Sequence, residues 1–275
     1  MRERRYTSPV FRLLLLTACA SLIPGEDSAT EEASTPGPGC PAEHPFPGSL
    51  TLRGPDSPAS LAGLLQEFDG VEGSIFLSDW PDEDLTAFAG IRCIGGRLDV
   101  HSSPELRSFR GLDDLVHVTT IQLSNLPEVT TLDGLGALEE VEAFLIYDYD
   151  GKSGFQSLDG LEGLHTVQTL SISGPRELTQ VNALRRLTEA TDVSFVNLPG
   201  LTDLSGLGAL TSVEGNLGID RNDYLTTLAG FDALEFVGGD VYVGRNPALP
   251  QADAEAWVDA IDEVVGEVYV QENGP

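Results

Sequence analysis

The chain repeats one pattern of apolar and polar positions about every 24 residues from Ser49 onward. Each copy opens with two apolar residues separated by one position, and aliphatic residues follow every two or three positions with glycine between them. An apolar-x-apolar pair predicts a short strand that turns one face inward. The predicted opening pairs are Leu50/Leu52, Ile75/Leu77, Leu98/Val100, Ile121/Leu123, Leu145/Tyr147, Leu170/Ile172, Val193/Phe195, Leu217/Ile219, Val241/Val243 and Val268/Val270.

One copy cannot bury its own aliphatic stripe, whereas stacked copies cover one another and pair their strands in parallel. The pattern therefore predicts a right-handed parallel β solenoid of about ten rungs over residues 49–275. Near its end, Trp257, Ala260, Ile261 and Val264 recur at helical spacing, which predicts a short C-terminal helix that caps the core.

The strand pairs, the Leu-x-Gly-Leu-x-x-Leu-x-x-Val-x-Gly arc and the closing Asn246-Pro247-Ala248-Leu249-Pro250 resemble the receptor L domain of the leucine-rich-repeat superfamily. The likeness is greatest to the L-domain-like lipoproteins of bacteria, and it covers about residues 49–270. It implies a leucine-rich-repeat-like fold. It does not imply a particular ligand, because such domains bind proteins, peptides and glycans through variable surfaces.

The first residues are typical of a secretory signal, since four arginines precede an apolar run that is too short to span a membrane. The segment Leu16-Thr17-Ala18-Cys19 resembles the lipobox of bacterial lipoproteins, which implies a signal peptide at 1–18 and acylation of the Cys19 sulfur. By the same resemblance, Ala20 in place of Asp favours the outer membrane. The alternative is an ordinary cleaved signal peptide with an incidental cysteine.

Residues 19–48 carry the acylated cysteine and then a stretch rich in proline, glycine and glutamate. Such a composition predicts a flexible tether between a lipid bilayer and the solenoid. Cys40 and Cys93 are the remaining cysteines. Because exported proteins fold in oxidising surroundings, a Cys40–Cys93 disulfide at the front of the solenoid is expected, with two free thiols as the alternative.

The chain carries 15 basic and 44 acidic residues, a formal charge of −29. Such a charge repels a phosphate backbone, so nucleic acid is excluded as a general partner. It favours a cationic partner and would speed encounter with one.

Catalytic and metal-binding signatures are lacking in the sequence. The four histidines have no metal-ligand spacing, and no nucleophile elbow or phosphate-binding loop occurs. Asp148-x-Asp150-Gly151 resembles a fragment of a calcium loop but lacks the third acid and the distal glutamate. No metal and no cofactor are therefore expected. Four asparagines that follow strand openings are interpreted as structural: Asn125, Asn197, Asn222 and Asn246.

Two turns are longer than the others by two residues, at 78–85 and 148–155, and both place aromatic residues beside acids. Insertions in solenoids tend to share one face, which is often the binding face. The candidate contact residues combine these turns with bulky strand positions expected to point outward: Phe76, Trp80, Phe144, Ile146 and Tyr149. The alternative is that side loops cover these aromatic residues.

These features together predict a lipid-anchored protein of the cell envelope that binds a protein or glycan and catalyses no reaction. One rival is a parallel β-helix that cleaves a polysaccharide with acids such as Asp79, Asp82 or Asp148, with calcium as an aid. The other rival is an envelope spacer without a specific ligand.

Overall fold

The computed structural model describes residues 42–54 and 58–275 of the chain, and the statements below concern these residues. Fifteen strands form one sheet in which every pair of neighbours is parallel. The strands are β1 Pro45–Phe46, β2 Leu50–Arg53, β3 Gly70–Val71, β4 Ile75–Ser78, β5 Cys93–His101, β6 His117–Ser124, β7 Glu140–Tyr147, β8 Thr166–Ser173, β9 Glu189–Val196, β10 Ser212–Val213, β11 Leu217–Asp220, β12 Phe236–Val237, β13 Val241–Gly244, β14 Glu263–Val264 and β15 Val268–Gln271.

Helices are few in this part of the chain. There are two α-helices, α1 Pro58–Leu65 and α2 Gln251–Asp259, and four single 3₁₀ turns at Thr86–Phe88, Asn182–Leu184, Ser205–Leu207 and Ala229–Phe231. A parallel sheet with so little helix is compatible with a β solenoid, as the repeat predicted.

Each repeat lays its strand beside the strand of the next repeat in a constant register. Leu50 lies opposite Ile75, Ile75 opposite Leu98, and Leu98 opposite Ile121. These residues and the apolar residues two positions further along point into one continuous core of fully buried aliphatic and aromatic side chains. The parallel register therefore places equivalent residues of successive repeats in rows.

The four central strands β6 to β9 each run for eight residues. Each joins a first short segment to the segment that carries the core pair, and we call the junction between the two segments the corner of the repeat. Towards the C-terminus one extra residue interrupts the corner, so β10/β11, β12/β13 and β14/β15 are separate short strands. At the N-terminal side, β5 keeps both segments but shifts register between Ile94 and Arg97. Gly95 and Gly96 lie at that shift, where a Cβ would collide with the preceding repeat.

The prediction for β7 was wrong by one residue. Phe144 pairs with Ile121 and Ile146 with Leu123, so Phe144 and Ile146 are fully buried in the core. Leu145 and Tyr147, predicted to point inward, lie in the outward rows. All four residues are apolar or aromatic, so alternation could not identify the inward face, and a slip of one residue exchanges the two faces.

The ends of the described core carry helices. The predicted C-terminal helix is present as α2, which buries Ala254 and Val258, and the Trp257 ring lies 5.6 Å from that of Phe231. Ala260, predicted to face the core, is exposed. Helix α1 was not predicted, and it contributes Leu61 and Leu65 to the core. Strand β1 was not predicted either, because it lies within residues 19–48, which were assigned to the flexible tether.

Sharp backbone bends recur at two fixed positions of the repeat. The residue directly after the strand adopts a left-handed conformation in seven repeats, with φ between 49° and 58°: Asp79, Ser102, Asn125, Asn197, Arg221, Arg245 and Glu272. In the arc, Gly111, Gly134 and Gly160 have φ between 105° and 111°, and a Cβ there would collide with the backbone of the preceding repeat. The arc thus needs glycine for both conformation and close approach.

We predict that Gly134→Ala destabilises the protein by about 3 kcal/mol, because alanine would be strained at this φ and would collide with the Phe109 carbonyl. The matched control is Gly63→Ala. Gly63 is exposed in α1 with nothing near its Cβ position, so this change should stabilise by up to about 1 kcal/mol. Urea unfolding of both variants measures the difference, and equal stabilities would contradict the close packing of the arcs.

Candidate functional site

The strands that carry the core pairs also have an outward face. On this face, two rows of side chains alternate with the core residues. The middle row consists of Thr51, Phe76, Asp99, Gln122, Leu145, Ser171, Ser194, Gly218, Tyr242 and Tyr269. The edge row, two residues further along each strand, consists of Arg53, Ser78, His101, Ser124, Tyr147, Ser173, Val196, Asp220, Gly244 and Gln271.

The structure keeps two of the five predicted contact residues at the surface. Tyr149 is 76% exposed, and Phe76 is half-buried in the middle row. Phe144 and Ile146 face the core instead, for the register reason given above. Trp80 is also a core residue, 2% exposed, so its assignment to the surface was wrong.

Trp80 is buried because the first long turn folds back over the core. Its ring lies 5.7 Å from that of Phe88, and its indole Nε1 donates to the Asp84 carbonyl at 2.8 Å. Its backbone N–H donates to Ser103 Oγ of the next repeat. The 78–85 turn is therefore a packing element rather than part of a contact surface.

The second long turn, residues 148–155, carries the exposed Tyr149, and we call it the tyrosine loop. The Tyr149 ring stacks on that of Tyr147 with centroids 6.2 Å apart and planes 11° from parallel. Tyr147 stands in the edge row on β7, and Tyr149 adds a second ring over it. Sequence reasoning missed Tyr147 because it assigned that residue to the core.

A buried carboxylate fixes the shape of the tyrosine loop. Asp148 is 3% exposed and accepts hydrogen bonds from the backbone N–H groups of Lys152 at 3.0 Å and Ser153 at 2.7 Å. Ser153 Oγ accepts from the Leu126 N–H of the preceding repeat. Both Asp148 oxygens are thus used in holding the chain, which leaves the exposed tyrosine on an ordered loop.

Charged groups border the tyrosine loop. Lys152 Nζ lies 3.1 Å from Asp150 Oδ2, and both side chains are mostly exposed. Arg176, from the following repeat, lies directly against the loop, because a Cβ on Gly151 would collide with its side chain. The loop therefore offers two cationic side chains on an otherwise acidic protein.

Small hydroxyl side chains flank the aromatic pair along the sheet. Ser173 is the register partner of Tyr147, and Ser171 is that of Leu145. Ser194 of β9 follows Ser171 in the middle row. On the other side, Ser124 is the last residue of β6. Ser171 is buried, so the accessible hydroxyls beside the tyrosines are those of the half-buried Ser173 on β8 and Ser194 on β9.

Towards the N-terminal side of the face, Asp99 and His101 form a pair on β5. Asp99 Oδ1 lies 2.9 Å from His101 Nδ1. The hydrogen bond with Asp99 raises the pKa of His101 above its ordinary value, although partial burial opposes the shift. The two residues share a face because they are two positions apart on one strand.

Towards the C-terminal side, a buried ion pair joins two repeats. Asp220, 1% exposed, accepts from Arg245 Nε at 2.7 Å and from Arg245 Nη2 at 2.6 Å. The Arg245 guanidinium also lies 5.6 Å from the centre of the Tyr242 ring. Burial raises the pKa of Asp220, and the hydrogen bonds from Arg245 counteract part of that shift. This cluster holds adjacent repeats together.

The four asparagines predicted to be structural divide into two classes. Asn125 and Asn197 occupy the left-handed position after the strand. Asn222 and Asn246 lie one residue further along and are fully buried. There Asn222 Oδ1 accepts from the Leu198 N–H and Asn246 Oδ1 from the Asn222 N–H, while each amide donates to a strand carbonyl of the preceding repeat.

The arc side of the molecule has an acidic cleft of about 360 Å³ that sequence reasoning did not single out. Its lining includes Asp113, Asp133, Asp159 and Glu162. Asp113 and Glu162 accept hydrogen bonds from the N–H groups of Gly111 and Gly160 two residues before them. These two carboxylates therefore stabilise the glycine bends of the arc.

The predicted lipidation residue Cys19 and the predicted disulfide partner Cys40 lie outside the described residues. Cys93 is fully buried and disulfide-bonded, and its pairing with Cys40 stays a prediction.

Within residues 42–54 and 58–275, no group of three or more His, Cys, Asp or Glu side chains could hold a metal ion. In the same residues, no helix has the length and apolarity needed to cross a membrane.

Comparison with known proteins identifies no relative. No protein-family model matches the chain, no curated protein matches it, and no solved structure matches it.

We predict that Asp148→Ala destabilises the protein by about 2 kcal/mol, because it leaves two N–H groups of the tyrosine loop without their acceptor. The control is Asp150→Ala, which removes only an exposed ion pair with Lys152 and should cost less than about 0.5 kcal/mol. Urea unfolding measures both. A wild-type protein that calcium stabilises, beside an Asp148→Ala variant that calcium does not, would restore the calcium-loop interpretation.

Proposed function

We propose that the protein is a non-catalytic recognition protein, anchored by lipid in the cell envelope, that binds another macromolecule through the outward face of its sheet. In this proposal the fold is a right-handed, L-domain-like solenoid of about ten turns. The solenoid serves as a rigid support, and the tyrosine loop is the principal contact element.

The observation that carries the proposal is the ordered exposure of Tyr149. A tyrosine that is 76% exposed, stacked on a second ring and held by a loop with a buried carboxylate is pre-organised for contact. Aromatic residues of this kind dominate the energetics of recognition, since a rigid ring loses little conformational entropy on binding.

The anchor rests on the sequence of the N-terminal region. Cleavage before Cys19 would remove four arginines and one glutamate, so the mature protein would be still more acidic than the full chain. The tether would then hold the recognition face away from the bilayer. Cys93, buried in β5, supports a disulfide with Cys40 that would fasten the end of the tether to the first repeats.

The charge of the chain favours a neutral or cationic partner over a polyanion. At −29, long-range repulsion would slow the approach of a polyanion and accelerate that of a cation.

The enzyme alternative is less well supported by the geometry. It requires carboxylates such as Asp148 to serve chemistry or to bind calcium, and both oxygens of Asp148 already accept backbone N–H groups. The spacer alternative gives no reason for an ordered loop that exposes an aromatic ring.

We predict saturable binding of the purified protein to envelope fractions of the cells that make it, with about tenfold weaker binding for Tyr149→Ser, since the exposed ring is the main contact. The control is Tyr224→Ser, because Tyr224 is comparably exposed at 65% but lies in the turn after β11. Its affinity should stay within about twofold of wild type. Binding that is not saturable, or that both variants weaken equally, would favour the spacer.

We predict that the protein isolated from its native membrane has lost residues 1–18 and carries a diacyl or triacyl increment on Cys19. Intact mass, measured before and after reduction and alkylation, tests the anchor and the disulfide together, because Cys40 and Cys93 should react only after reduction. An unmodified chain that starts at Met1 with three reactive thiols would overturn the anchor, the disulfide and the envelope location.

A further inference from the structure

We propose that the macromolecule bound at the tyrosine loop is a glycan, neutral or amine-bearing, whose sugar ring stacks on Tyr149 while its hydroxyls bond to the serines of β8 and β9. This inference rests on the recognition function proposed above and names its ligand class.

The first support is the aromatic pair itself. Tyr147 backs one side of the Tyr149 ring in a near-parallel stack, and Tyr149 remains 76% exposed. The face of an aromatic ring carries negative charge density. Such a face attracts the polarised C–H groups of a pyranose, and a flat, fixed ring is suited to that contact.

The second support is the floor beside the rings. Ser173, which is half-buried, lies directly opposite Tyr147, and Ser194, also half-buried, lies on the next strand, whereas Ser171 is only 7% exposed. A hydroxyl both donates and accepts hydrogen bonds, as sugar hydroxyls do. Neighbouring strands are about 4.8 Å apart, about the width of a pyranose ring, so β8 and β9 offer places for successive sugars beside the platform.

The third support is the polar rim. Asp150 and Lys152 pair at the tip of the loop, and Arg176 lies against Gly151. Carboxylate oxygens accept and guanidinium and ammonium groups donate, so the rim can bond vicinal hydroxyls from both sides. These three side chains give the rim a formal charge of +1, whereas the protein as a whole is strongly acidic, and the overall charge disfavours an anionic glycan.

The composition of the face argues against a protein partner. The large hydrophobic residues exposed in the described residues are Leu64, Tyr149, Tyr224 and Val265. Leu64 lies on α1, Tyr224 in the turn after β11, three strands from β7, and Val265 at the corner before β15, so none of the three lies beside Tyr149. A stable protein interface needs an apolar centre of several strongly exposed residues, whereas the Tyr147–Tyr149 pair beside serine hydroxyls suits a sugar.

The test measures binding of the full-length protein to native envelope fractions after two treatments of the envelope. Periodate cleaves the vicinal diols of glycans, and proteinase K removes accessible proteins. We expect periodate to abolish the Tyr149-dependent binding and proteinase K to leave it intact. Binding that survives periodate but not proteinase K would overturn the glycan and leave the recognition function standing.

A substitution in the floor distinguishes the same two ligand classes independently. Ser173→Val removes a hydroxyl and adds apolar surface at a strand position that valine tolerates well. For a glycan, binding should weaken at least about fivefold, because a hydrogen-bond partner is lost. For an apolar protein surface, binding should be unchanged or stronger, and that result would overturn the proposal. Thermal unfolding of Ser173→Val and Tyr149→Ser should match wild type.

The remaining outcomes are also decisive. If both treatments abolish binding, the ligand is carried by a glycoprotein, and Ser173→Val decides which part is bound: weaker binding supports the glycan, and unchanged or stronger binding overturns it. If no envelope fraction shows saturable binding that depends on Tyr149, the result overturns both the recognition function and the proposal of a glycan ligand.

Discussion

The contact of each repeat with the next is the constraint on which the whole structure depends. An aliphatic pair such as Ile121 and Leu123 can be covered only by the equivalent pairs of neighbouring repeats. Because the strands are parallel and in constant register, main-chain hydrogen bonds and apolar contacts are satisfied by the same stacking. A position in the repeat therefore has a fixed environment, and a residue is acceptable there only if it suits the residue before and after it in the row.

The same constraint governs the polar positions. Directly after the strand the chain must turn in a left-handed conformation, so asparagine, glycine and a few strained residues recur there. One residue later a buried N–H needs an acceptor from the next repeat, and Ser103, Ser153, Asn222, Asn246 and Asn273 supply it. Asparagines at these two positions look alike in the sequence but do different work. The second kind accepts the buried N–H of the preceding repeat, whereas at the first position Asn125 only donates to Ser102 Oγ.

The period and the glycine spacing were sufficient to predict a parallel sheet with a stacked aliphatic core, because both follow from the stacking constraint. They were insufficient where the repeat changes length. At β7 a run of four apolar residues hid the phase of the strand, so Phe144 and Ile146 were assigned to the surface and Tyr147 to the core. The assignment of Trp80 to the surface was wrong for another reason. Whether a long turn folds onto the core or away from it depends on tertiary contacts, such as that of Trp80 with Phe88.

A regular stack has a nearly uniform surface, so a specific site has to arise where the repeat departs from its rule. With Gly54 and Gly174 included, nine of the ten strands that carry the two outward rows are followed by a left-handed residue, and β7 is the exception within the described residues. There Asp148 keeps the bond of its N–H to the Ser173 carbonyl, its carboxylate accepts the N–H groups of Lys152 and Ser153, and the longer turn places Tyr149 against Tyr147. The departure combines a buried charge with an exposed ring. The carboxylate fixes the loop, and an aromatic ring that a fixed loop exposes is understandable if the loop is kept for what it binds.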